Sequence, residues 1–141
     1  MRAPSTERTL AEWIERYNRK VPEGFKRDEK FALFFRPDKG FCEIANTGKM
    51  VIIGQVCGDG LFWKKHAEDW ARELGLKACG AYFVRDEVAA YQKLFGFKVV
   101  KTEEKDGFKR YHGKAADGRW GLMTECVLDG KRRAHYVTWE V

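Results

Sequence analysis

Little in this sequence punctuates or cross-links the chain. Its 141 residues include three prolines, four cysteines and three histidines. The cysteines (Cys42, Cys57, Cys79 and Cys126) contain no C-x-x-C pair, and the histidines (His66, His112 and His135) lie far apart. The close ligand pairs of a structural metal site are therefore missing, and no metal is expected. Disulfide frameworks belong mostly to small secreted domains. The opening MRAPSTERTL lacks an apolar leader core, so reduced, mostly buried thiols in a cytoplasmic protein are expected. No apolar run approaches the ~18–20 residues of a membrane-crossing helix. Repeats, linkers and low-complexity tracts are also lacking.

What is present describes a globular chain: 44% hydrophobic, 14% aromatic and 34% charged residues. That composition suits a single domain over residues 1–141 with one core. The net charge of +6 favours polyanionic partners in general, including nucleic acid or a phosphorylated cosubstrate. The densest basic runs, KRDEK, KK and KRR, are short and read first as solvated surface.

The pattern of apolar residues gives an order of elements. Thr9 and Glu12 have the spacing of a capping box, and Leu10, Trp13, Ile14 and Tyr17 then recur on one helical face. Pro22 and Gly24 end that helix. Three short extended segments follow at 31–35, 41–45 and 50–56, separated by the turn sequences PDKG and NTGK, and predict an antiparallel meander. A second helix follows, with Trp63, Ala67, Trp70, Ala71 and Leu74 on its buried face. Lys64, Lys65, Glu68, Asp69, Arg72 and Glu73 fall mostly on its wet side, and Gly75 stops it. Residues 78–84 read as a buried strand, 86–95 as a short helix and 97–103 as a strand. The tail reads as strands 120–128 and 133–141 joined at Asp129-Gly130, a hairpin signal. The fold class is α/β (mixed α+β): a central mixed sheet with helices on both faces and a C-terminal hairpin.

Between the third strand and the second helix stands Gln55-Val56-Cys57-Gly58-Asp59-Gly60, which fits Q-x-x-G-x-G. The first turn of a helix presents unpaired N–H groups and the positive end of the helix dipole, and glycine lets an anion approach the backbone. Lys64 and Lys65 add positive charge nearby, whereas Asp59 opposes an anion and suits a helix cap. Gly54, Gly58 and Gly60 lack the spacing of the dinucleotide-binding G-x-G-x-x-G, and no Gly-Lys-Ser/Thr ending marks a P-loop. A plain strand-to-helix turn is the competing reading.

This turn, together with AAYQKLFGF at 89–97 and the order of elements over about residues 31–104, resembles the GNAT-type N-acetyltransferase superfamily. The resemblance implies an acyl-CoA-dependent N-acyltransferase, using acetyl-CoA and a small-molecule or protein amine as acceptor. By that likeness the diphosphate meets Val56, Cys57, Gly58, Asp59, Gly60 and Leu61, after Gln55. The acyl carbonyl lies against backbone near Ile53 and Gly54, in a gap between 50–55 and 78–84. The family's frequent acid, a tyrosine four residues before the Gly of Gly-Phe, corresponds to Gln92. Tyr91 is adjacent, so Tyr91 and Gln92 are the catalytic candidates. VIIG also runs straight into Gln55, where family members have several loop residues. Glu43 and Glu125 are base candidates by residue type alone.

Two further function classes stay open at this point. One is a GNAT-like module without catalysis. The other is nucleic-acid binding by the basic, aromatic tail around Lys109, Arg110, Arg119, Trp120, Lys131, Arg132 and Arg133.

Overall fold

The structure, a computed structural model, describes residues 7–21, 23–83, 96–128 and 132–141. The first helix, α1, spans Leu10–Lys20. Its capping box is formed: Glu12 N donates to Thr9 Oγ1 at 3.2 Å, and Thr9 N donates to Glu12 Oε1 at 3.0 Å. Two otherwise orphaned N–H groups are thereby satisfied. The meander follows as β1 (Ala32–Arg36), β2 (Gly40–Asn46) and β3 (Val51–Gly58). The second helix, α2 (Gly60–Glu73), leads to β4 (Ala78–Phe83). The chain closes with β5 (Phe97–Lys105), β6 (Phe108–Ala115), β7 (Trp120–Leu128) and β8 (Arg132–Glu140).

The strands form one eight-stranded mixed sheet in the order β1-β2-β3-β4-β8-β7-β6-β5. β3 and β4 are parallel, joined through α2, and the other neighbours are antiparallel. The expected tail hairpin is thus one part of a four-stranded meander, β5 to β8. Strand β6 was not expected from the hydrophobic pattern, because FKRYHGKA carries too few apolar residues to alternate cleanly. Its signals are the Asp-Gly pairs on either side. Asp106 and Gly107 have φ of 55° and 82°, the pair of positive values that a two-residue hairpin turn requires. Gly118, of Asp117-Gly118, has φ of 89°.

Strand alternation divides the core in two. Cys42, Ile44, Val51, Ile53, Cys79, Ala81, Met123, Val137 and Trp139 cluster with Trp63, Ala67 and Ala71 of α2. Phe41, next to Cys42, packs instead with Cys57 and with Trp13 of α1, beside Tyr17 and Phe25. Trp13 also donates its indole N–H to Pro37 O at 3.0 Å, which anchors α1 to the β1–β2 turn.

Two residues on α2 differ from the helical pattern. Leu74, expected on the buried face, caps the helix C-terminus and is exposed. Glu68, expected mostly in water, is buried. Its Oε2 accepts from Trp139 Nε1 (2.9 Å), Arg119 Nη1 (3.0 Å) and Lys64 Nζ (3.2 Å), tying α2 to β8 and to the turn that precedes β7. Burial alone pushes this carboxyl up, but the Lys64 charge and the three hydrogen bonds outweigh it and hold it below its ordinary value. The Lys64–Glu68 spacing of four was visible in the sequence; Arg119 and Trp139 come to Glu68 only through the sheet. The expected helix at 86–95 lies outside the described residues, as does the Asp129-Gly130 turn.

Candidate functional site

The glycine turn is tighter than a loop. β3 continues to Gly58, Asp59 is the N-cap, and Gly60 is already the first residue of α2. Gly58 has φ of 107° and faces Gly40, whose φ is 97°. A Cβ on Gly58 would lie 2.2 Å from Lys39 O, and one on Gly40 would lie 1.9 Å from Cys57 O. Both are far inside contact distance, so what approaches this backbone so closely is the chain's own β1–β2 turn.

Lys39 organises the junction. Its carbonyl accepts from Asp59 N at 2.9 Å and from Trp63 Nε1 at 2.9 Å. Its ammonium stands 3.3 Å from Asp59 Oδ2. Asp59 Oδ1 accepts from Phe62 N at 3.0 Å, and this backbone bond, above the Lys39 contributions, holds the Asp59 carboxyl below its ordinary value. The helix N-terminus therefore already carries one carboxylate. Arg36 and Lys39 lie over the Phe62 ring at 5.1 and 5.6 Å. The sequence suggested Lys64 and Lys65 as the nearby charge; Lys64 is directed to Glu68 instead.

A bulge shapes β3 just before this turn. Cys42 opposes Val56 while Ile44 opposes Ile53, so Gly54 and Gln55 together face Glu43. A Cβ on Gly54 would meet the Phe31 ring at 3.1 Å. Gln55 Nε2 donates to Glu43 Oε1 at 2.6 Å, and its Oε1 accepts from Lys26 N at 3.0 Å. Glu43 Oε2 accepts from Arg27 Nη1 at 2.7 Å and Asp28 N at 3.1 Å. Glu43, read from sequence as a base candidate or a sheet-edge glutamate, is buried at 1% exposure and ringed by these donors. The group clamps residues 26–28 onto the bulge. Sequence gave no sign of this, because Arg27, Glu43 and Gln55 belong to three separate segments.

On its other side, β3 pairs with β4 only through Val51–Cys79, Ile52–Gly80 and Ile53–Ala81. Beyond these, Tyr82 and Phe83 pair with Tyr136 and His135 of β8. Among the described residues, the backbone of Gly54, Gln55 and Val56 has no ladder partner on the β4 side. Among the described residues, the β3–β4 pairing ends where the bulge begins. Of the named residues, Ile53 is in the core, Cys57 is buried beside Trp13, and Val56 and Leu61 are exposed. Cys57 packs with Trp13 and Phe41, and burial pushes its thiol up, which is the environment of a packing residue. Tyr91 and Gln92 lie outside the described residues. Glu125 Oε1 accepts from Lys109 N at 2.7 Å, and His112 Nε2 is 2.8 Å from Glu103 Oε1. Groups of three or more potential metal ligands are not found among the described residues. None of the described helices is long and apolar enough to cross a membrane.

Comparison with protein-family models, curated proteins and solved structures finds no match.

Proposed function

We propose that the chain is a GNAT-like acyl-CoA-dependent N-acyltransferase, with helices on both faces of its sheet. The observation that carries this reading is the gap in β3–β4 pairing after Ile53 and Ala81 among the described residues, beside a bulge at Gly54-Gln55. Such a gap offers backbone hydrogen bonds to an extended amide-containing arm, which a fully paired sheet does not. The thioester carbonyl of acetyl-CoA would lie against β3 near Ile53 and Gly54. Its diphosphate would reach the N-terminus of α2, where Arg36 and Lys39 supply positive charge. The neutral amine of a small molecule or protein then attacks the thioester carbonyl and loses its proton to a base or water. The tetrahedral intermediate collapses, expelling CoA thiolate, which takes a proton from an acid. Of the candidates Tyr91 and Gln92, only the Tyr91 phenol can give up a proton in that last role; the Gln92 amide can do no more than donate a hydrogen bond to the leaving sulfur.

A second reading, the same architecture without catalysis, is favoured by one observation. The Asp59 carboxylate occupies the helix N-terminus with only one residue between strand and helix, and a negative charge there opposes a diphosphate. The two readings part on thermal unfolding with acetyl-CoA, CoA and ATP. A ligand at ~100 times its Kd adds about 2.7 kcal/mol of stability. A rise in Tm with both CoA species and not with ATP supports the transferase, and release of free thiol in an amine screen then identifies acceptors. No rise, or one shared equally by ATP, favours the non-catalytic module.

A further inference from the structure

The sheet face opposite Met123 and Val137 carries an ordered set of side chains on the C-terminal meander and β4. Pairing and alternation arrange them in cross-strand rows. One row runs Tyr82–Tyr136–Thr124–Arg110 from β4 to β6. The next holds Thr138, Leu122, His112 and Lys101. A third holds Trp120, Lys114 and Lys98. Helix α1 packs at the other end of the sheet, on Phe41 and Cys57.

Two of these rows present aromatic surface to solvent. Tyr82 is 44% exposed and Trp120 48%. Tyr82 lies against Tyr136, with ring centroids 4.6 Å apart, and Lys114 Nζ is 5.3 Å from the Trp120 ring. The rows are about 13 Å apart along the strands. Between them lies a cavity of about 390 Å³ lined by Met50, His112, Trp120, Leu122 and Thr138, among others. The charge on this face is mainly positive. Lys98, Lys101, Arg110 and Lys114 lie along β5 and β6, against the two carboxylates of Glu103 and Glu140, and Glu103 pairs with two of these cations. Glu103 meets His112, Arg110 and Lys101, and Glu140 Oε1 accepts from Trp120 N at 2.7 Å.

We propose that this face binds single-stranded nucleic acid, with bases on Tyr82 and Trp120 and phosphates along the β5–β6 cations. Exposed ring faces give stacking that a base can use whatever its identity, and flanking lysine and arginine give the salt-dependent attraction of a phosphate chain. Acidic peptides share the charge but not the stacking, and duplexes keep their base faces hidden.

The test is fluorescence anisotropy of the full chain with labelled single-stranded DNA and RNA of about 15 nucleotides, over a salt series beginning near 50 mM. A matching duplex and polyglutamate serve as competitors. Expected results are saturable binding that weakens with salt, poor competition by duplex and polyglutamate, and a roughly 5- to 100-fold loss in Trp120→Ala and in Tyr82→Ala. Lys114→Glu should weaken binding and flatten the salt slope by about one. These side chains are exposed or at the surface, and circular dichroism verifies that each variant is folded. Absence of binding at low salt, equal competition by duplex or polyglutamate, or folded Trp120→Ala and Tyr82→Ala proteins that bind like the parent would each overturn the proposal. No arm of this test depends on acetyl-CoA.

Discussion

Gly40 and Gly58 oppose each other across β2 and β3, each with a positive φ and each pressed against backbone of the other's strand or turn. The pair lets the β1–β2 turn lie against the start of α2, so that Lys39 O reaches both Asp59 N and Trp63 Nε1.

Gly58→Ala should consequently destabilise the protein by at least about 2 kcal/mol, since steric overlap adds to the cost of a strained backbone. Gly48 is the control. It has φ of 84° but no atom within 4 Å of an added Cβ, so Gly48→Ala bears only the backbone term, about 1 kcal/mol. Urea titration of the two variants reads the difference. Equal losses would mean that the contact with Lys39 contributes nothing.

Asp59→Asn keeps a capping side chain at α2 but removes its charge. Stability should fall by no more than about 1 kcal/mol. If a diphosphate uses this helix N-terminus, acetyl-CoA should bind more tightly to the variant than to the parent, as calorimetric titration would show. An unchanged or weaker affinity places the diphosphate elsewhere.

The Glu68 carboxylate gives a pH prediction. Its folded pKa lies below the ordinary value of 4.5, so the unfolded chain takes up the proton first as pH falls. Its stabilisation is complete above that ordinary value and is lost as pH drops through the folded pKa. Glu68→Gln should cost about 2 kcal/mol at neutral pH. The gap from the parent should narrow below pH ~4.5, measured by chemical denaturation at several pH values.

Thiol chemistry separates the four cysteines. Cys42, Cys57 and Cys79 are buried and Cys126 is partly exposed. Burial pushes all four thiols up, Cys79 to about 12. Under native conditions an alkylating reagent should modify Cys126 first and slowly, faster as pH rises, with the others protected until unfolding. Mass spectrometry of digested samples assigns the order; early labelling of Cys57 would contradict its packing role.

Local sequence determined what short-range physics controls. The Thr9–Glu12 capping box, the α1 stripe, the α2 stripe apart from Leu74, and the β-branched run of β3 follow from interactions within a few residues, and each forms. Asp59 as a helix cap was legible for the same reason. The strand β6 was hidden because its side chains are mostly polar; its flanking Asp-Gly turns were the available signal. Tertiary structure alone decided that β8 inserts beside β4, that the described β3–β4 pairing stops at Ile53–Ala81, and that the glycines make room for Lys39. It also decided that Glu43 and Glu68, indistinguishable by composition from surface glutamates, are buried within rings of donors. Those outcomes depend on contacts between residues as far apart as Glu68 and Trp139. Their energy is realised only when the sheet has assembled, and no local pattern records it.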